Sequence, residues 1–122
     1  MKQKLIDILD RHCPNDVYLQ GTMNPEEGYP DEFVTFWTPD TNNAAHFDNA
    51  VTAVNWTFYV IYYSNDPVKV NTKPIKIAAD LKAAGFVQRG RGNDTPSDEP
   101  THTGWAMEFV CVEDFYKSEG LT

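Results

Sequence analysis

The chain has 122 residues, of which 41% are hydrophobic and 23% are charged, so it is long enough for one domain with a core and too apolar for a disordered tail. Its 18 acidic residues outnumber its 10 basic residues and give a net charge of −8, which disfavours binding of nucleic acid or anionic membranes through net charge. No apolar run approaches the roughly 20 residues of a membrane helix, and the charged N-terminus does not predict a signal peptide.

The first half of the chain predicts one helix followed by three strands. Leucine and isoleucine residues at helical spacing predict a helix over Lys2–His12. Proline, glycine and polar residues predict exposed loops over 23–32 and 39–49. The third strand is apolar on both sides from Phe58 onward, which is typical of a central strand. The predicted strands are Val17–Thr22, Phe33–Thr38 and Ala53–Ser64.

The second half predicts a helix and then a hairpin. Pro74 suits the first helical position, so the helix is expected over Pro74–Ala84, with Gly85 as its left-handed stop and Phe86 as the hydrophobic contact. Residues 117–122 are expected to fray. The predicted strands are Val87–Gly90 and Gly104–Val112, joined by a long exposed loop over 91–103.

The order α-β-β-β-α-β-β predicts a single α+β domain over residues 1–122. Three successive strands favour an antiparallel meander, and the last two favour a hairpin. A single antiparallel or mixed sheet with both helices on one face would bury this pattern.

The charges are divided into blocks along the chain. Residues 23–64 contain six acids and no Lys or Arg, residues 65–93 contain six bases and two acids, and residues 94–122 contain seven acids and one base. Solvated loops and an ordinary helix face would explain this pattern. The alternative explanation is surfaces of opposite sign, through which copies meet head to tail and close into a ring. Candidate interface residues are Trp37, His46, Asp48, Arg89, Arg91, Asp94, Asp98 and Glu99.

The sequence contains no strong catalytic or metal-binding signature. Cys13 and Cys111 lack metal or redox spacing, and the three histidines lie in separate segments. The glycine-rich stretch 89–93 does not lead into a helix, as a phosphate-binding loop would. We therefore expect no catalytic residues, no cofactor and no metal. The weak enzymatic alternative is a hydrolase or transferase that uses His46 with loop carboxylates.

Four segments together resemble a known family. An aromatic strand leads to Asp-Pro, a helix of the type Pro-Ile-x-Ile-Ala-x-x-Leu-x-x-x-Gly-Phe follows, and a Gly-rich tip precedes a Gly-Trp-x-Met-Glu-Phe strand. This pattern resembles the tail terminator or tail completion (head–tail joining) proteins of long-tailed phages and prophages. The segments are Trp56–Tyr63, Asp66-Pro67, Pro74–Phe86 and Gly104–Phe109.

The resemblance implies a virion structural protein without catalytic residues. Such subunits form a ring, commonly a hexamer, that caps the tail tube and joins it to the head connector after assembly in the bacterial cytoplasm. An acidic channel would let DNA pass without binding, since like charge repels the duplex. The alternative function is a small acidic regulatory or inhibitor module that binds a basic partner protein.

Overall fold

Two helices pack against one face of a five-stranded mixed sheet, which confirms the predicted α+β fold and element order. The computed structural model describes residues 1–19, 28–47, 50–97 and 100–114, with only the backbone for 44–47 and 50–52. The elements are α1 (Lys2–Asp10), β1 (Val17–Leu19), β2 (Glu32–Phe47), β3 (Ala50–Ser64), α2 (Pro67–Ala83), β4 (Val87–Pro96) and β5 (Thr103–Asp114).

The strands lie in the order β1-β2-β3-β5-β4, so β3 is central, as its apolar sequence predicts. Alternate residues of a strand point to opposite faces of the sheet. Phe58, Val60 and Tyr62 of β3 are fully buried in one cluster with side chains of both helices. The opposite face holds a smaller cluster around Phe33 and Tyr63. The helices therefore cover one face and leave most of the other without a helical layer.

The second helix begins earlier than predicted. The Asp66 side chain accepts a hydrogen bond from the Val68 amide at 3.0 Å and caps the helix, with Pro67 at the first helical position. The sequence interpretation placed the start at Pro74, which instead lies inside the helix and is buried. An interior proline removes one backbone hydrogen bond, and burial of its ring in the core offsets that loss. The predicted end at Gly85 is confirmed.

The predicted exposed loop over 39–49 is wrong for most of its length. Strand β2 continues to Phe47, which pairs with Ala50 of β3. A register shift between Trp37 and Asp40 accommodates Pro39, and Asn55 donates a side-chain hydrogen bond to Asn42 across the hairpin at 2.9 Å. Polar residues are stable here because residues 39–43 are exposed, so their side chains reach solvent.

The predicted loop over 91–103 is also shorter than expected, because β4 extends from Val87 to Pro96. A register shift between Arg89 and Asn93 interrupts its pairing with β5, and Gly90 and Gly92 take positive φ angles there. In the sequence, the glycines of such a β-bulge resemble those of a loop, although the strand continues. Asp98, Glu99 and residues 117–122 lie outside the described residues, as do residues 23–27 of the first predicted loop.

The predicted antiparallel meander is wrong for its first strand. Val17 of β1 pairs in parallel with Val34 of β2, while the other strand pairs are antiparallel. Residues 20–31 between these two strands are enough for the chain to return to the same end of the sheet, which a parallel pair requires.

Helix α1 ends at Asp10 rather than His12. In the part of the chain that the structure describes, neither helix is long and apolar enough to cross a membrane.

Candidate interaction surfaces

The structure describes the side chains of four of the eight predicted interface residues. Asp48, Asp98 and Glu99 lie outside the described residues, and His46 is described only by its backbone, which pairs with Val51. The remaining four lie on or beside two distinct surfaces. These four residues are Trp37, Arg89, Arg91 and Asp94.

The first surface, called here the open sheet face, lies opposite the helices. One row of residues crosses four strands on this face, from Trp37 through Tyr59 and Glu108 to Arg89. The Trp37 and Tyr59 rings meet edge to face with centroids 5.0 Å apart, and Trp37 remains 37% exposed. Arg89 contacts Glu108 at 3.3 Å, so this arginine already has an acidic partner within the chain.

Apolar side chains continue the open sheet face beside this row. Val87 and Val112 are both more than half exposed, and Val110 and Thr57 lie between the outer strands. A shallow concavity of about 510 Å³ covers this region, with Asp40 also in its lining. Tryptophan, tyrosine and arginine are the residue types enriched at protein interfaces, and this face exposes Trp37 and Arg89.

The second surface, called here the cationic groove, lies between α2 and the β4–β5 hairpin. It encloses about 510 Å³, with Lys82 and Arg91 as its cations. The Trp105 indole donates a hydrogen bond to the Arg91 carbonyl at 3.0 Å and holds the bulge against the sheet. Ile75 is 71% exposed. The other lining residues are Val70, Asn71, Pro74, Ala78, Gln88, Gly90 and Met107.

The β4 bulge therefore separates the two arginines that the sequence places together. Arg89 lies on the open sheet face with Glu108, whereas Arg91 lines the cationic groove. Within the described residues, neither Arg91 nor Lys82 forms an ion pair. Asp94 is exposed and pairs in register with Trp105, so it lies beside this groove. Among the described residues, the groove lining thus contains two cations and no carboxylate, in a chain of net charge −8.

The sequence did not single out Glu32, yet its carboxylate joins α2 to the central strands. One oxygen accepts from Lys73 at 2.9 Å, and the other accepts from Tyr62 at 3.1 Å and lies 3.2 Å from the Lys69 ammonium. The Cys13 thiol also donates to it, at 3.8 Å. Its partners are 19 to 41 residues away, so no local pattern could have revealed the cluster.

Glu32 is held as an anion. Burial raises its pKa, but the hydrogen bonds from Lys73, Lys69 and Tyr62 lower it by more, so that its pKa lies below the ordinary value of 4.5. Burial, and then the nearby Glu32 charge, raises the pKa of Tyr62, which keeps this hydroxyl protonated as a donor. Both carboxylate oxygens have partners from other elements, so the cluster connects α2 to the sheet.

The described histidines and cysteines also occupy structural positions. His102 is buried, with Nε2 2.8 Å from the Pro30 carbonyl and Nδ1 3.0 Å from the Thr101 hydroxyl. His12 contacts Asp80 at 2.7 Å and ties α1 to α2. Burial raises the pKa of Cys13 to about 12, and burial likewise raises the pKa of Cys111 to about 11. Neither thiol is therefore an activated nucleophile.

No cluster of three or more His, Cys, Asp or Glu side chains suited to a metal ion occurs among the described residues. A scan against protein-family models finds no match, and a search of curated proteins finds no matching relative.

Proposed function

We propose that the protein is a non-enzymatic structural subunit of a phage virion, which assembles as a ring at the head–tail junction. The observation that carries the proposal is the cationic groove, where Lys82 and Arg91 lack acidic partners within the described part of a strongly acidic chain. Uncompensated charge of the minority sign favours association with an acidic surface. Further copies of this chain supply such surfaces.

The positions of the cationic groove and of the outer part of β2 also support a ring. The groove lies at the β4 side of the sheet, while the part of β2 that has no outer partner among the described strands lies toward the opposite side. A contact between unlike surfaces on opposite sides of a subunit is heterologous, and it generates a closed ring when its rotation closes. The resemblance to tail terminator and tail completion proteins agrees with this arrangement.

The decisive experiment is to measure assembly directly. The purified protein is examined by light scattering after size exclusion and by negative-stain microscopy, alone and after mixing with purified tail tubes. Rings on their own, or rings that cap tube ends, are the expected result. A monodisperse monomer at high concentration that leaves the tubes unchanged would contradict the proposal. It would favour the alternative of an acidic module that binds a basic partner protein.

A second measurement addresses the channel. The ring is expected to show no retention of duplex DNA at physiological salt, because its net charge repels phosphate. Retention that weakens steeply with added salt would mean that cationic side chains face the duplex, and that the proposed acidic channel is wrong.

A further inference from the structure

The cationic groove specifies the chemistry of its occupant. Two exposed cations favour an acidic group, and Ile75 with the Trp105 ring offers an apolar surface next to them. A volume of about 510 Å³ can hold a large side chain together with a neighbouring carboxylate. The groove therefore fits a surface on which an exposed aromatic residue lies beside an acid.

The outer margin of β2, defined here as Trp37–Asn43, has this composition. Among the described residues, β1 pairs with Val34–Phe36 only, and no described strand pairs with the outer edge of the margin. Trp37 is partly exposed, and the exposed Asp40 contacts only the Asn42 amide at 3.3 Å among the described side chains. This acid is thus available to a cation of another molecule.

Direct pairing of sheet edges between copies is disfavoured. Pro39 in β2 and Pro96 in β4 lack amide hydrogens, and both strands contain register shifts, at 37–40 and at 89–93. Proline and bulges are the devices by which natural edge strands avoid uncontrolled pairing. A contact between copies would consequently depend on side chains, and the groove is where side chains can be received.

We propose that the cationic groove of one copy receives the outer β2 margin of a second copy, with Asp40 against Arg91 and Lys82 and with Trp37 against Ile75. The inference rests on the proposed ring and specifies its subunit contact. Because the two surfaces lie toward opposite sides of one sheet, each copy offers both, and the contact repeats around the assembly.

The test uses charge reversal on the full chain, with Arg91→Glu and Asp40→Arg as single variants. Each is expected to weaken assembly at least tenfold, measured as the protein concentration at half-assembly by sedimentation. An equimolar mixture of the two variants is expected to recover assembly to within about threefold of the original protein. In the mixture every groove meets a margin of opposite charge, provided that the two variants alternate.

Lys2→Glu is the matched control, because it makes the same change of charge at an exposed residue of α1 that lines neither the groove nor the concavity of the open sheet face. It is expected to change half-assembly by less than threefold. Ile75→Ser tests the apolar part of the contact and is expected to weaken assembly at normal charge. Both Arg91 and Asp40 are exposed, so circular dichroism and thermal unfolding should show that the variants fold normally.

The outcomes separate this inference from the proposed function. Rings that form equally well with Arg91→Glu, or single variants that fail to rescue each other, would overturn the assigned contact and leave the ring intact. An original protein that never assembles, with or without tail tubes, would overturn both. Loss of assembly in the Lys2→Glu control but not in Arg91→Glu would overturn the assigned contact, because assembly would then depend on charge at α1 rather than in the groove.

Discussion

Glu32→Gln should destabilise the protein far more than the partial exposure of the Glu32 side chain suggests. The substitution preserves shape but removes the negative charge that Tyr62 and Lys73 contact at 3.1 Å and 2.9 Å. A hydrogen bond to a charged group contributes about 1.5 to 3 kcal/mol, and Tyr62 is fully buried, so water cannot replace the lost acceptor. Lys69 is half exposed and adds little.

The amide oxygen of glutamine still accepts one of these donors, so the expected loss is about 2 to 3 kcal/mol in the free energy of unfolding. Urea unfolding followed by tryptophan fluorescence measures it directly. For a domain of this size the slope is on the order of 2 kcal/mol per molar urea, which corresponds to a midpoint lower by about 1 to 1.5 M.

The matched control is Glu108→Gln. Glu108 pairs with Arg89 at 3.3 Å, but Arg89 is 63% exposed, so the same chemical change should cost less than about 1 kcal/mol. The losses of stability caused by Tyr62→Phe and by Glu32→Gln should differ in sum from the loss in the double variant by at least about 0.5 kcal/mol, because the two side chains share one hydrogen bond. Equal losses in the two glutamine variants, together with additivity at Tyr62, would refute this account of the cluster.

Three further predictions concern the pH dependence of the Glu32 contacts, the β4 bulge and the two cysteines. Because the pKa of Glu32 is lowered in the folded protein, its stabilisation is complete above about pH 4.5 and is lost as the pH falls through the folded pKa. In acid unfolding curves, the difference in stability between the original protein and Glu32→Gln should therefore shrink as the pH falls below about 4.5. A difference that stays constant with pH would contradict this prediction. Gly92→Ala should cost about 1 to 3 kcal/mol more than Gly90→Ala in urea, since both residues have positive φ but only at 92 would a β-carbon overlap β5; equal costs would exclude the overlap. The buried Cys13 and Cys111 thiols should react with an aromatic disulfide reagent at pH 8 only after unfolding, and rapid native labelling of either would mean that it is accessible.

Local signals in the sequence determined the types of the elements and the central strand. The continuous apolar run of β3 and the Gly85-Phe86 helix stop each depend on nearby residues only, and both are confirmed. Pro74 misled the prediction of the α2 start, because a proline at a first helical turn and a proline buried within a helix look alike without knowledge of the core.

Strand lengths and surfaces were decided by tertiary structure. The polar stretch after Pro39 is a strand only because β3 pairs with it, and β4 continues past two glycines only because β5 pairs on both sides of the bulge. The charge blocks of the sequence drew attention to Arg89 and Arg91. Their assignment to different surfaces depends on the bulge between them, and hence on pairing with residues far along the chain, as does the whole Glu32 cluster.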